Sequence, residues 1–277
     1  MKIVVASGKG GTGKTLVAIN LALSVDADQV LDCDVEEPND YLFIKPSNVR
    51  SESVDLLVPW IDESKCTFCR KCAEFCQFNA LFVVGETAMV FSKLCHSCGG
   101  CKLVCPTQAI TEKTRSIGDI FIGNVDGLEL VYGKLNIGEA LAVPIISAVK
   151  EKAKTQGLVI LDSPPGTACP VVESVMSTDF CVMVTEPTPF GLHDLKVAVE
   201  VVMKLGIPLG VVVNFAGIGD RGVYDYCEKM NLPILMEIPY DRKIAELYSN
   251  GISFVEEMPE WKAEFQELLV KIQEIVE

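Results

Sequence analysis

Residues 3–15 read Ile-Val-Val-Ala-Ser-Gly-Lys-Gly-Gly-Thr-Gly-Lys-Thr. The short β-branched run Ile3–Ser7 predicts a buried strand, and the apolar stretch from Thr15 to Ser24 predicts a helix. Between them Gly8, Lys9, Gly10, Gly11, Thr12, Gly13, Lys14 and Thr15 satisfy the pattern G-x-x-x-x-G-K-[ST] in the strand–turn–helix context it requires. The glycines let the backbone curl until its N–H groups converge on phosphate oxygens. The helix N-terminus adds a favourable dipole. Lys14 is then the cation for the β/γ charge, and the Thr15 hydroxyl is a ligand for Mg²⁺.

Outward from this stretch, apolar runs recur at Gln29–Asp34, Leu158–Leu161, Cys181–Thr185, Leu209–Asn214 and Ile234–Ile238, with helical segments between them. Such alternation predicts an α/β domain built on a mostly parallel sheet, a P-loop NTPase fold. Between about residues 60 and 114 the texture changes to short elements around cysteines, so the expected organisation is discontinuous. Residues 1–59 and 115–277 form the nucleotide domain, with strands resuming at Asp119–Ile122 and Leu128–Tyr132, and 60–114 is an insertion. At the far end Trp261, Phe265, Leu268, Ile272 and Ile275 recur at spacings of three and four, predicting an amphipathic helix. Its polar face carries Glu264, Glu267, Glu274 and Glu277 against Lys262 and Lys271, so it packs on its own domain rather than on an anionic membrane.

The chain has 277 residues and twelve cysteines, eight of them within the 40 residues from Cys66 to Cys105. The run from Cys66 matches the run from Cys95 at every cysteine, each reading C-x₂-C-x₂-C-x₃-C, an internal repeat at an offset of 29. Structural zinc prefers two separated C-x₂-C pairs around one ion. Three thiolates at this spacing instead wrap one face of a 4Fe–4S cluster, and the fourth cysteine of each run serves the other cluster. Cluster one takes Cys66, Cys69, Cys72 and Cys105; cluster two takes Cys95, Cys98, Cys101 and Cys76. Arg70, Lys71 and Lys102 flank the runs and would balance anionic clusters, while His96 reads as an exposed loop residue.

With 24 basic and 38 acidic side chains the net charge is −14. Residues 61–114 carry five acids and six bases, a net of +1, which leaves −15 on the remainder. Such acidity argues against nucleic acid as a partner, since that affinity comes from Lys and Arg neutralising phosphates. No apolar run is long enough to span a membrane, and Met1-Lys2 leads directly into a strand rather than a secretory signal. The expectation is a cytoplasmic metalloprotein with no nucleic-acid or membrane partner.

An additional lysine early in the loop, Lys9, gives it the form KGGxGKT, which resembles the deviant loop of MinD/ParA-class P-loop ATPases. That resemblance implies ATP-dependent homodimerisation, with Lys9 reaching the partner's phosphates. In the same class an acid at the end of a strand holds Mg²⁺ through water, which implies Asp162, followed here by the switch-like Ser-Pro-Pro-Gly. The Asp-x-Asp that ends the second strand implies Asp34 for positioning the attacking water, with Asp32 in support. Asn214 matches the position whose amide contacts adenine, and Pro239, within Ile238–Asp241, matches the loop closing over the base. The cysteine module is similar to bacterial-type ferredoxins with two 4Fe–4S clusters, departing from them at Gln77, where proline follows the fourth cysteine. Cys169 lies seven residues beyond Asp162, an offset shared with a cluster ligand of the nitrogenase iron protein. The second cysteine of that protein has no counterpart, nor is there the C-terminal C-x-x-C of Mrp-type carriers, so a labile shared cluster at Cys169 stays open. Cys33, Cys181 and Cys227 read as core.

Together the resemblances imply an ATP-hydrolysing iron–sulfur protein using ATP, Mg²⁺ and two 4Fe–4S clusters. Its dimer would couple nucleotide state to low-potential electron transfer, or to cluster assembly and transfer, toward a redox or cluster-accepting partner protein. The alternative is a redox-sensing positioning ATPase.

Overall fold

A computed structural model describes residues 1–277, which divide into two compact units. The first comprises Met1–Glu52, Ile120–Lys134 and Ala142–Glu277; the second comprises Ser53–Asp119 and Leu135–Leu141. Eleven strands occur: β1 (Lys2–Ala6), β2 (Gln29–Asp32), β3 (Ser47–Ile61), β4 (Leu81–Val84), β5 (Thr87–Val90), β6 (Ile110–Val125), β7 (Leu128–Leu135), β8 (Val159–Asp162), β9 (Phe180–Thr185), β10 (Leu209–Ala216) and β11 (Ile234–Pro239).

The main sheet has the order β11-β10-β9-β1-β8-β2-β7-β6-β3. From β11 to β7 every neighbouring pair is parallel. β1, β2, β8 and β9 are almost wholly buried, as strands covered on both faces by crossover helices must be. β6 and β7 are joined by Asp126 and Gly127, both at positive φ (48° and 92°), a two-residue turn that makes this pair antiparallel. The sheet is therefore mostly, not wholly, parallel. β2 stops at Asp32, so Asp34 lies in the loop beyond the strand and not within it.

β3 and β6 each begin in one unit and end in the other, so the second unit is wider than residues 60–114. Within it, the internal repeat is written in the backbone. Helix Lys71–Phe75 corresponds to helix Gly100–Leu103, and β4 corresponds to the start of β6, each at the 29-residue offset. Positive-φ residues follow the same offset: Phe68 with Ser97, Arg70 with Gly99, and Asn79 with Gln108. All twelve cysteines are free thiols.

In the first unit the phosphate-loop helix, Lys14–Ser24, packs against the C-terminal helix Glu260–Val276. Phe265, Leu268 and Ile272 are buried in that contact, with Trp261 half-buried and edge-on to Phe254. Ile275 is 41% exposed and so falls off the predicted apolar face, where the helix runs past the core. A buried hydrogen-bonded pin reinforces the contact: the Asn20 Oδ1 accepts from the Ser253 hydroxyl (2.7 Å) and the Val255 N–H (3.0 Å). Truncating Phe265→Ala is expected to cost about 3–5 kcal/mol in denaturant unfolding, and Ile275→Ala less than about 1 kcal/mol. Equal losses would contradict this packing.

Candidate functional site

At the carboxyl edge of the parallel strands, the loop after β1 rises to Gly11 and Gly13, both left-handed (φ 82° and 92°), before the helix starts at Lys14. A Cβ at position 13 would lie 2.3 Å from the Asn214 Nδ2, so only glycine fits both the conformation and the space. The Asn214 amide in turn donates to the Thr12 carbonyl (2.9 Å), and its Oδ1 accepts from the Phe215 N–H (2.9 Å). In this structure Asn214 therefore clamps the loop. It still borders a cavity of about 300 Å³ into which Gly10, Gly11, Gly13, Lys14 and Thr15 face. Asp34, Glu37 and Asn39 line the same cavity, as do Pro239, Asp241 and Tyr248.

Beneath it sit three carboxylates with no access to solvent. Asp32 and Asp162 are opposite one another on the paired strands β2 and β8, and Asp40 joins them, with ligand oxygens all within 4.8 Å. Asp162 accepts the Thr15 hydroxyl at 2.5 Å, which links the acid to the expected Mg²⁺ ligand. Asp32 accepts the backbone N–H groups of Asp34 (3.0 Å), Asn39 (3.0 Å) and Asp40 (3.3 Å). It braces the 34–40 loop and does not line the cavity, so its place is behind the reacting groups. Both Asp40 oxygens and the Asp162 Oδ1 are buried without a protein partner. Burial raises the carboxyl pKa of all three, and charge repulsion among them raises Asp32 and Asp40 further. Lys14 works in the opposite direction on Asp40 and Asp162. Unpartnered acceptor oxygens beside Thr15 suit a hydrated divalent cation, which would supply the missing donors and positive charge. Asp34, at the cavity wall, is pushed up to about 6 by burial, with Lys14 opposing.

Lys9 does not line this cavity. Its Nζ lies 2.6 Å from the Glu186 Oε1, just after β9. Cys169 is exposed at the start of helix Cys169–Val175, while Cys33, Cys181 and Cys227 are buried and their thiols pushed up by desolvation, Cys227 to about 11. Asp40, Glu37, Glu186 and Tyr248 escaped sequence reasoning because nothing in their local spacing marks them. The acid six residues after Asp34 was the one available hint for Asp40.

In the second unit the eight clustered cysteines line two cavities. Cys66, Cys69, Cys72 and Cys105 face one; Cys76, Cys95, Cys98 and Cys101 face the other, of about 470 Å³. In each set the fourth thiol comes from the other run. Left-handed Asn79 and Gln108 each directly precede a residue, Ala80 and Ala109, whose N–H turns toward a cysteine sulfur. N–H groups of Ala80, Ser97 and Ala109 point at the sulfurs of Cys76, Cys95 and Cys105 at 3.3–3.4 Å. Burial raises Cys101 to about 11 and also raises Cys72. At Cys105 burial is outweighed by donors from Ala109 and Thr107, which hold the thiol below its ordinary value. Arg70 and Lys71 border the first cavity; Lys102 is committed to Glu112 (2.8 Å). His96 is exposed and stacks on Phe78 with ring centroids 3.7 Å apart.

The chain is similar to several known proteins. The family described as the CobQ/CobB/MinD/ParA nucleotide binding domain matches residues 3–254. An uncharacterized protein of Methanocaldococcus jannaschii is 36% identical over 262 residues, covering 92% of this chain and 91% of its own. An iron-sulfur cluster carrier protein of Pyrococcus abyssi is 26% identical over 274 residues, covering 92% and 79%. Among solved structures, the septum site-determining protein MinD of Pyrococcus horikoshii, complexed with Mg-ADP, superimposes with a TM-score of 0.60 at 19% identity, covering 96% of this chain and 93% of that one.

Two outcomes follow from the geometry. Gly13→Ala is expected to abolish nucleotide binding measured by calorimetry while the chain stays folded, because the loop cannot hold φ 92° against Asn214. For Asp34, whose folded pKa of about 6 is above the ordinary carboxyl value, the protonated form is favoured on folding. Its contribution is therefore fully present below about pH 4 and is lost as the pH rises through 6. In nucleotide-free protein Asp34→Asn should raise unfolding stability at pH 7 by about 2–3 kcal/mol and leave it nearly unchanged at pH 4.

Proposed function

Because the chain belongs to the CobQ/CobB/MinD/ParA family of nucleotide-binding domains, we propose that it is an ATP-hydrolysing iron–sulfur protein whose nucleotide state governs low-potential electron transfer, or the assembly and transfer of a cluster. The observation that carries this reading is the division of eight cysteines into two crossed sets of four, in the same chain as a phosphate loop with Thr15 on Asp162.

The donor sets fit the group. Soft thiolates in fours, inward N–H groups and N–H···S contacts are the requirements of 4Fe–4S ligation, and crossing of the fourth ligand is the two-cluster ferredoxin arrangement. Cys66, Cys69, Cys72 and Cys105 would hold one cluster, and Cys95, Cys98, Cys101 and Cys76 the other. Bound there, such clusters supply one-electron transfer at low potential. The insertion carrying them is residues 60–114 with the β-strands that lead into it.

On the nucleotide side, Lys14 neutralises the β/γ-phosphates while the loop amides hold their oxygens. Thr15 and, through water, Asp162 hold Mg²⁺, with Asp40 as a third buried acid facing the same position. Asp34 lines the cavity beside Lys14 and orients the attacking water. Pro239 and Asn214 bound the base. Lys9 points elsewhere, consistent with a role toward the phosphates of a second protomer, where a cation adds transition-state stabilisation. Hydrolysis is then tied to dimerisation, and ATP shifts the population only by favouring one state of the dimer.

Relatives named as iron-sulfur carriers support the cluster side of the reading. Electron gating is preferred over cluster carriage, since all eight module cysteines are taken up in the two sets and no carrier C-x-x-C is present. A positioning ATPase is disfavoured: the C-terminal helix buries Phe265, Leu268 and Ile272 against its own domain.

Lys14→Ala should abolish ATP turnover that the wild type shows, measured by phosphate release. Iron and sulfide analysis tests the crossed ligation. Cys66→Ala with Cys105→Ala should remove one cluster, leaving about four of about eight irons per chain, whereas Cys66→Ala with Cys76→Ala should remove both. The reverse pattern would mean that each run fills its own cluster.

A further inference from the structure

The ion pair between Lys9 and Glu186 lies apart from the residues that line the nucleotide cavity, and it is held by contacts of its own. Glu186 Oε1 receives the Lys9 Nζ at 2.6 Å and the Thr188 hydroxyl at 2.9 Å. Thr188 caps helix Pro189–Lys204 by accepting the Gly191 N–H, and its own N–H donates to the Glu186 carbonyl at 2.8 Å. A Cβ at Gly191 would lie 2.3 Å from that same carbonyl oxygen, so the turn is closed down on Glu186. The lysine and carboxylate side chains are 31% and 17% exposed, and the neighbouring groups hold the Glu186 carboxyl below its ordinary range, so it is ionised at neutral pH.

We infer that Glu186 is a positioning residue that holds Lys9 docked on its own chain until a triphosphate on a second protomer takes the carboxylate's place. The inference rests on the reading of Lys9 as a lysine that acts across a dimer. Exchange of one anionic partner for another costs little when the incoming anion is the full triphosphate, with its extra charge and acceptor oxygens. With a diphosphate the exchange is not repaid, and the pair re-forms. Glu186 thus sharpens the difference between the two nucleotide states by lowering the reactivity of the free lysine, and a two-fold dimer contains two such contacts. A sequence pattern could not show this, since the two residues lie 177 positions apart.

The test is sedimentation of the anaerobically purified full chain with adenylyl imidodiphosphate or ADP, in wild type, Glu186→Gln, Lys9→Ala and the double variant. Glu186→Gln should tighten the dimer formed with adenylyl imidodiphosphate by about tenfold or more, given two partly exposed contacts released. The same change should have no effect in the Lys9→Ala background, because the effect runs through that lysine. Glu186→Asp, which keeps the charge but shortens the reach, should fall between and serves if the Gln variant is unstable. ADP affinity, measured by calorimetry, checks that the fold is intact. An unchanged or weaker dimer in Glu186→Gln, or equal tightening without Lys9, would overturn the inference. A wild type that stays monomeric with adenylyl imidodiphosphate would overturn the dimer itself, a separate failure.

Discussion

Asp162 accepts the Thr15 hydroxyl where two parallel strands end side by side, and the rest of the nucleotide site is arranged around that buried contact. Placing Asp32 and Asp162 at adjacent strand ends, with Asp40 beside them, concentrates acid where water cannot reach it. Such a cluster is costly without a cation, and the protein meets part of the cost locally. Asp32 takes three backbone N–H groups, and Lys14 lies close enough to oppose the repulsion. What stays unmet, at Asp40 and at one oxygen of Asp162, is a demand for a divalent ion and its water. The site is thus preorganised for a metal–nucleotide complex rather than for nucleotide alone.

The cysteine unit solves a related problem with different means. Its thiols are closely spaced, only Cys69 and Cys98 are exposed, and none is oxidised to a disulfide. Two loops with matching left-handed residues turn amides toward the sulfurs instead, so the backbone supplies the partial positive charge that clustered thiolates require. Repetition of that geometry at the 29-residue offset makes each run complete the cavity of the other, so neither half forms a four-thiol site alone. The halves differ in cavity volume, about 470 Å³ against about 20 Å³, and in neighbours: Glu74, Gln77 and His96 at the larger cavity, Arg70 and Lys71 at the smaller.

Much of this was legible in the sequence because the informative residues are local. The glycine loop, the repeat of cysteines and the β-branched strands each reveal themselves within a few positions, and the ends of β1, β2, β8, β9, β10 and β11 fall within one or two residues of expectation, whereas β6 starts at Ile110, nine residues before the expected Asp119, and β7 runs on to Leu135. Asp34 and Asp32 were read as one element, yet the strand stops between them, and that break separates a cavity-lining acid from a bracing one. Asn214 was read as a base contact; the structure adds a loop-clamping role, since one amide hydrogen goes to the Thr12 carbonyl and Oδ1 accepts the Phe215 N–H, which leaves its second amide hydrogen unused. Asp40 and Glu186 were not visible, since their roles come from strands and loops that meet only in the folded sheet.

Coupling between the nucleotide and the clusters is the central claim, and it is tested most directly by an anaerobic, EPR-monitored potentiometric titration of the iron–sulfur centres with and without Mg-ATP. Coupling predicts that the midpoint potential of at least one centre, and the rate of its reaction with a low-potential acceptor, change when Mg-ATP is bound. Superimposable titrations with unchanged transfer rates would contradict it.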